Sequence, residues 1–177
     1  MVPALAHGSL RGAVLKLSDA TSDFNATATH YYTSYAYFLD VKVNNGPRKV
    51  DLTCASPSNL IYPAYSQAMV EAFGHTATIG LQDMRVCAFL YSSNAKAHQA
   101  FSGLVKSGGG NAKLFGSKAV SVHIANESQA FTSKFLYTAI FRSDNYLAYY
   151  FYGNPGSLHM SWSTFLGLSG KLISHLT

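Results

Sequence analysis

The chain has 177 residues, enough for one domain with its own core and no need of metals or a disulfide lattice. Apolar residues make up 48% and charged residues 12%, which suits either a surface largely buried against neighbours or a compact monomer with a Ser, Thr and Asn surface. The net charge of +5 comes from dispersed basic residues, so a polyanionic partner is permitted but no dedicated basic helix is present. No stretch is long enough for a transmembrane helix, and Arg11 makes the N-terminus a poor secretory signal.

The first predicted elements are two strands joined by a turn. In residues 38–43, FLDVKV, apolar side chains alternate with polar ones, and residues 49–54, KVDLTC, repeat that pattern. Alternation with a period of two is typical of a strand with one buried face, and the NNGP between the two segments is rich in turn-forming residues. The sequence therefore predicts a β-hairpin.

A short helix is predicted after this hairpin. Pro63 stands at a helix-compatible start, apolar residues follow at helical spacing, and Gly74 is a stop signal. The pattern predicts an amphipathic helix over residues 63–73.

Most of the remaining chain has the period of a strand. Residues 93–118 contain SGGGN and are predicted to be a loop with one helical turn near residues 95–105. GNPG at 153–156 predicts a tight bend that joins the last two strands in a hairpin. Strands are predicted over residues 76–82, 85–93, 119–126, 131–142, 146–152 and 157–168. Residues 131–142 are long enough for one strand with a bend or for two short strands.

About eight strands with one helix between them predict an all-β fold, an antiparallel β-sandwich. The eight-stranded jelly roll with one short inserted helix fits this count best. Residues 1–30 are predicted to be an N-terminal arm and residues 31–177 the jelly-roll β-sandwich domain.

No catalytic, cofactor or metal site is predicted. The seven histidines are never at metal-ligand spacing, and no pair of carboxylates stands out for acid and base catalysis. Cys87 lies in a predicted strand, where a structural role is favoured over a nucleophilic one, and a bridge between Cys54 and Cys87 is left open. We therefore predict that the chain is not an enzyme.

Two segments are similar to parts of a known family. In residues 59–93, Leu60 and Pro63 lead into the predicted helix, and the aromatic Phe73 is followed by a strand from Thr76. This order resembles an element in the jelly-roll coat proteins of small icosahedral positive-strand RNA viruses, such as tymovirus-like and tombusvirus-like coats. Residues 146–170 are similar to the last hairpin of such shells. Many of these coats begin with an Arg-rich arm, which this sequence lacks, and that moves the resemblance toward the tymovirus type.

The resemblance implies a structural protein that assembles in many copies into an icosahedral shell around viral RNA. Such a protein is assembled in the host cytoplasm, is found in the virion, and has neither a cofactor nor a membrane partner. RNA phosphates are expected to be bound without regard to sequence by Arg11, Lys16, Arg48 and Lys49. Subunit contacts are expected from six tyrosines, namely Tyr35, Tyr37, Tyr62, Tyr65, Tyr150 and Tyr152.

A second resemblance gives an alternative. The order of hairpin, helix and strand that begins at residue 36 is similar to that in the glycan-binding B subunits of bacterial AB5-type toxins, which are shorter chains. It implies a secreted glycan-binding module. The aromatic runs near residues 31–38 and 146–152 then have three interpretations: core packing, a subunit interface, or a platform for sugar rings. An oxidised bridge between Cys54 and Cys87 favours the secreted class.

Overall fold

The computed structural model describes residues 7–20, 24, 26–32, 38–43, 46–51, 65–74, 84–107, 116–153 and 160–176. From the N-terminus onward, the strands within these ranges are β1 (Ala26–Tyr32), β2 (Phe38–Val43), β3 (Gly46–Asp51), β4 (Gln67–Gly74), β5 (Met84–Leu90), β6 (Lys118–Val120), β7 (Glu127–Thr132), β8 (Leu136–Ser143) and β9 (Tyr146–Gly153). The helices are α1 (Asn94–Lys106) and α2 (Trp162–Ser174), and a short 3-10 turn spans Leu17–Asp19.

Within the described residues, seven strands form one antiparallel sheet in the order β1-β4-β5-β9-β8-β7-β6, and β2 pairs with β3 as a two-stranded sheet. A hairpin of β2 and β3 is confirmed, with Val43 opposite Gly46. Its second strand begins at Gly46, inside the predicted NNGP turn, and residues 52–54 of the predicted strand lie outside the described residues. The antiparallel, mainly β class is also confirmed. Eight strands in a jelly roll are not confirmed by this arrangement.

Each face of the large sheet is packed by one helix. Successive residues of a strand point to opposite faces, and along β5 Val86 and Ala88 join one cluster of buried side chains while Cys87 and Phe89 join the other. The first cluster includes Phe165 of α2, and the second includes Ala97, Ala100, Phe101 and Leu104 of α1. The described part of the large sheet is therefore the middle layer between two helices.

The helix predicted over residues 63–73 is wrong, because residues 67–74 form strand β4. β4 lies between β1 and β5 and is buried on both faces, with Met69 and Phe73 toward α2 and Ala68 and Val70 toward α1. A strand that is apolar on both faces has no period of two, and the helical spacing in this stretch is coincidental.

The strand predicted over residues 157–168, and with it the terminal hairpin, is also wrong. Residues 162–174 form α2, whose buried residues include Phe165, Leu168 and Leu172. Ser161 begins the helix: its Oγ accepts a hydrogen bond from the backbone N–H of Thr164 at 3.1 Å. This N-cap favours a helix, although the residues around it alternate as in a strand.

The predicted loop over residues 93–118 contains the whole of α1, not a single helical turn. Ser93 is its N-cap, with Oγ accepting from the N–H of Lys96 at 3.3 Å. Replacing Ser93 by Ala is expected to lower the free energy of unfolding by about 1 kcal/mol, because one N–H of the first turn loses its partner. Urea unfolding measures this change. The matched control is Ser92→Ala, which removes only an exposed bond from the Lys96 ammonium; an equal loss in both variants contradicts the capping role.

Residues 131–142 form the end of β7 and most of β8, which is the two-strand alternative of the prediction. In residues 119–126 the strand is shorter than predicted, because it ends at Val120. Residues 76–82 lie outside the described residues. The predicted division of an arm from a domain after residue 30 falls inside β1, which pairs with β4 in the sheet. Residues 26–30 therefore belong to the folded body.

Candidate functional site

Residues 7–20, which we call the strap, cross the α2 face of the sheet. Leu10, Ala13 and Leu15 of the strap are buried, and Leu10 and Leu15 belong to the same apolar cluster as Met69 and Phe73. Apart from the turn at Leu17–Asp19, the strap has neither helix nor strand. The following contacts show how side chains of the body bind its backbone.

Asn145 holds the start of the strap. It lies in the tight turn between β8 and β9, after Asp144, which has a φ of 52°. The Asn145 amide accepts from the N–H of His7 at 3.1 Å and donates to the His7 carbonyl at 2.9 Å. It also donates to the carbonyl of Tyr91 at 3.1 Å. Asn145 is fully buried, so its side-chain amide cannot bond to water. The bonds to His7 and Tyr91 replace the bonds to water that the amide loses on burial.

Two further side chains bind the strap in the same manner. Gln67 of β4 accepts from the N–H of Leu10 at 3.1 Å and donates to the carbonyl of Gly8 at 3.3 Å. His175, after α2, lies with Nδ1 2.9 Å from the carbonyl of Val14, so Nδ1 carries the donated proton. The strap is therefore bound by residues from both the sheet and the C-terminal helix.

Glu71 of β4 is the buried acid of this site, with 1% of its surface exposed. One carboxyl oxygen accepts from the N–H of Leu15 at 3.0 Å, and the other lies 3.3 Å from the hydroxyl of Thr29 on β1. Burial raises the pKa of Glu71 to about 7, and the charge of Asp19 adds to this rise, while the bonds from Leu15 and Thr29 oppose it. Glu71 therefore changes charge near neutral pH.

Tyr146 is a second buried polar side chain on the same face. Its hydroxyl has no hydrogen-bond partner among the described residues, and its ring packs edge-on against His7, with ring centroids 6.3 Å apart. Burial raises the pKa of Tyr146 far above its usual value, with a contribution from Glu71, so the phenol remains neutral. Glu71 and Tyr146 thus place two polar groups within an otherwise apolar interface.

A surface ion cluster joins α1 to β7 and β8. Glu127 contacts Nδ1 of His98 at 2.8 Å and also the Nε of Arg142, and Arg142 donates to the carbonyl of Asp144 at 2.7 Å. Partial burial opposes ionisation of Glu127, but the bonds from His98 and Arg142 outweigh it and lower the pKa of this carboxyl. Because each charge already has a partner, the cluster is suited to joining elements, with no unpaired charge left for a ligand.

A half-buried aromatic pair lies at the start of α2. The rings of Trp162 and Tyr137 meet edge-on with centroids 5.0 Å apart, and Trp162 stacks on Phe165 at 5.7 Å. Three hydroxyl side chains beside Trp162 are exposed, those of Ser161, Ser163 and Thr164. We call Trp162, Tyr137 and these hydroxyls the aromatic patch. It combines a half-buried tryptophan with exposed hydroxyl side chains, and the Ser161 hydroxyl lies 3.1 Å from that of Ser163 and 2.8 Å from that of Thr164.

The residues predicted to bind RNA fall in two places. Arg11 and Lys16 are exposed and both lie on the strap. Arg48 and Lys49 are neighbours on β3, of which only the backbone is described. Arg11 and Lys16 therefore lie on one segment. No contact between that segment and β3 is found among the described residues.

The six tyrosines predicted at subunit contacts have different outcomes. Tyr35, Tyr37 and Tyr62 lie outside the described residues. Tyr65 is half-buried and packs on Phe89. Tyr150 and Tyr152 are buried inside the protomer, where Tyr150 donates to the carbonyl of Phe165 at 3.2 Å. An interface role does not fit Tyr150 and Tyr152, because β9 is a central strand and its aromatic rings fill the core.

Cys87 is disulfide-bonded and fully buried in β5. Cys54, the other cysteine of the sequence, lies outside the described residues. In the part of the chain that the structure describes, no group of three or more His, Cys, Asp or Glu side chains is placed to hold a metal ion. Among the same residues, neither helix is long and apolar enough to cross a membrane.

The residues that hold the strap were not among the predicted site residues. Glu71 had one signal, since it is the single acid in the apolar run QAMVEAF. An acid in such a run either lies on an exposed face or is buried with partners, and the run alone does not distinguish the two. Asn145 and His175 had no local signal, because their partners in the strap are more than a hundred residues away.

Comparison with known protein families found no family model that matches this chain, and comparison with curated proteins found no similar sequence.

Proposed function

We propose that this chain is a secreted, disulfide-stabilised binding domain whose ligand is a glycan. The observation that carries the proposal is the disulfide of Cys87. Disulfides persist in oxidising compartments and are rare in the reducing cytosol, so this bond supports folding outside the cytosol.

The aromatic patch supports the choice of ligand. Sugar rings stack on aromatic faces and present hydroxyls to nearby polar groups. Trp162 is held in place by Phe165 and Tyr137, so little conformational freedom is lost when a ring binds to it. Ser163 and Thr164 supply exposed hydroxyls next to it.

Replacing Trp162 by Leu tests this site. Leu keeps apolar packing against Phe165 but removes the aromatic face, so affinity for the glycans that wild type captures on an oligosaccharide array is expected to fall about tenfold or more. The matched control is Phe135→Leu, at an exposed ring elsewhere on the protein. If Trp162→Leu binds as wild type does while its circular dichroism is unchanged, the patch is not the site. Failure of wild type to bind any sugar contradicts the glycan proposal.

The second candidate is a self-assembling viral coat protein, the first function expected from the sequence. The observation that favours it is the pair of exposed cations Arg11 and Lys16 on one segment, which suits phosphate binding. This candidate includes a tymovirus-like or tombusvirus-like shell of many copies around RNA, assembled in host cytoplasm, and an eight-stranded jelly roll. In such a sandwich a second sheet covers the first, whereas here α1 and α2 pack on the two faces. We therefore place it second.

Particle size and nucleic-acid content separate the two candidates. The secreted domain is expected to elute as a monomer or small oligomer with the absorbance of protein alone. A shell elutes as megadalton particles with the absorbance of nucleic acid. In that case the double variant Arg11→Glu, Lys16→Glu is expected to package less RNA. The matched control is the double variant Lys106→Glu, Lys118→Glu, which reverses two exposed charges elsewhere on the protein. Megadalton particles whose RNA content is the same in both double variants contradict a specific role of the two strap cations.

A further inference from the structure

We infer that the strap is a releasable cover on the α2 face of the sheet, and that protonation of Glu71 keeps it closed. The inference concerns residues 7–20 and the groups beneath them. It does not depend on the proposed glycan site.

The strap has the features of a segment that opens before the rest of the fold. Its described residues form no ladder with the sheet, and much of its backbone binding comes from the side chains of Gln67, Glu71, Asn145 and His175. A strand in the middle of a sheet opens only with the global fold, whereas a segment held by individual side-chain contacts opens at a lower free energy. Leu10, Ala13 and Leu15 add buried apolar contacts, but the strap has no strand pairing with the sheet, so we expect it to open at a lower free energy than the central strands.

Release of the strap changes the surface of the body. Leu10 and Leu15 leave the apolar cluster, and the sheet face with Glu71 and Tyr146 becomes accessible to solvent. The open form presents a carboxyl group and a phenol hydroxyl inside an apolar groove. The closed form presents neither group, because each of the two residues is at most 1% exposed.

Glu71 controls the release because its charge is not neutralised where it is buried. Of the charged groups around it, Asp19 on the strap is negative and is itself paired with Lys171 of α2 at 3.2 Å. Arg85, on β5, has its guanidinium over the ring of Phe151, which packs in the cluster on the α1 face.

Other titratable groups also lie near the strap. Tyr146 of β9 stays neutral. The ring of His7, on the strap itself, packs edge-on against Tyr146, and its Nε2 lies 3.4 Å from the Ser143 hydroxyl. His175 donates to the carbonyl of Val14 from Nδ1. Both histidines are unchanged in Glu71→Gln, so that variant separates their effect from that of Glu71. Lys16 is exposed. His30 follows Thr29 on β1, where only the backbone of His30 is described.

The direction of the pH effect follows from linkage. Burial raises the pKa of Glu71 to about 7 in the closed form, while the solvated acid of the open form titrates near 4.5. The closed form therefore binds more protons between these values, and opening becomes easier as the pH rises. Between pH 5 and pH 8 the opening constant is expected to rise on the order of 70-fold, and to level off above pH 7.

Amide hydrogen exchange of the full chain measures this opening. After correction for the intrinsic exchange rate, the protection of the Leu15 and Leu10 amides is expected to fall on the order of 70-fold from pH 5 to pH 8 in wild type. In Glu71→Gln, which mimics the protonated acid, both amides are expected to keep their protection. Leu10 is the decisive reporter, since its N–H binds Gln67 and does not touch Glu71.

Each other outcome overturns the inference. Equal protection at both pH values in wild type shows that Glu71 does not govern the strap. A fall that persists in Glu71→Gln assigns the effect to another group, and a fall at Leu15 alone shows local fraying without release. If Glu71→Gln does not fold, Thr29→Val replaces it. This variant removes a hydrogen bond that favours the ionised carboxyl group, so the protection of the Leu10 amide is expected to level off at a higher pH than in wild type. An unchanged dependence of protection on pH refutes the role of Glu71.

Discussion

Reduction of the Cys87 disulfide is expected to lower the free energy of unfolding by about 2–5 kcal/mol. The cross-link restricts the conformations of the unfolded chain, and its removal restores that freedom. Cys87 also lies in β5, opposite Val70 of β4 and Tyr149 of β9, so the bond is anchored in the interior of the sheet. Guanidinium unfolding with and without a reductant measures the difference.

A variant without thiols is the control for this prediction. Cys54→Ala with Cys87→Ala is expected to unfold at a denaturant concentration close to that of reduced wild type, and to be insensitive to the reductant. Identical unfolding curves for oxidised and reduced wild type contradict a stabilising disulfide. Sensitivity of the thiol-free variant to the reductant shows that the reagent acts elsewhere.

Replacing Glu71 by Gln is expected to remove a pH-dependent loss of stability of about 2.5 kcal/mol between pH 5 and pH 8. The pKa of Glu71 is raised to about 7 in the folded state, above the value near 4.5 of the solvated acid. In this window the folded chain binds more protons than the unfolded chain, so stability falls as the pH rises. The amide that replaces the carboxyl group carries no charge at any pH, so it adds no pH dependence. At pH 5 the carboxyl group of folded wild type is protonated, and the two proteins are expected to be similarly stable.

Urea unfolding of both proteins at pH 5, 6, 7 and 8 measures this difference. Glu127→Gln is a suitable control, because the pKa of Glu127 is lowered and its titration lies below this window. The prediction fails if wild type and Glu71→Gln keep a constant difference across the four pH values. A shallow global dependence beside a large change in Leu10 exchange indicates that the strap opens before the body unfolds.

The parts of the fold that the sequence predicted are those with a local signal. The β2 and β3 hairpin combines alternation with a turn-forming NNGP, and its strands pair as expected. The strand predicted over residues 146–152 is β9, whose sequence YLAYYFY is apolar on both faces, and it lies between β5 and β8. In both cases neighbouring residues determine the structure.

The errors arose where the local pattern favours a different element from the one that tertiary contacts select. β4 has alanines and a methionine that favour a helix, and only its pairing with β1 and β5 makes it a strand. The sequence of residues 158–168 alternates like a strand, but the N-cap at Ser161 and the packing of α2 on the sheet select a helix from Trp162 onward. Tertiary contacts decide such segments, and one sequence does not contain them explicitly.

The candidate site was even less accessible to sequence reasoning. The sequence identified Arg11 and Lys16 by charge, and both proved to lie on the strap, but the strap itself was predicted as an arm outside the domain. What joins it to the body is a set of long-range bonds from Glu71, Asn145 and His175 to backbone groups. Backbone groups are present at every residue, so no residue pattern distinguishes the ones that are bound.

The proposed binding domain folds outside the cytosol with Cys87 oxidised, and both properties can be observed in one experiment. The cells that produce the protein naturally are fractionated, and each fraction is treated with a thiol-reactive polymer under denaturing conditions. We expect the protein outside the cytosolic fraction with no mobility shift on a gel, and a shift only after reduction. Protein in the cytosolic fraction that shifts without reduction would contradict the proposal.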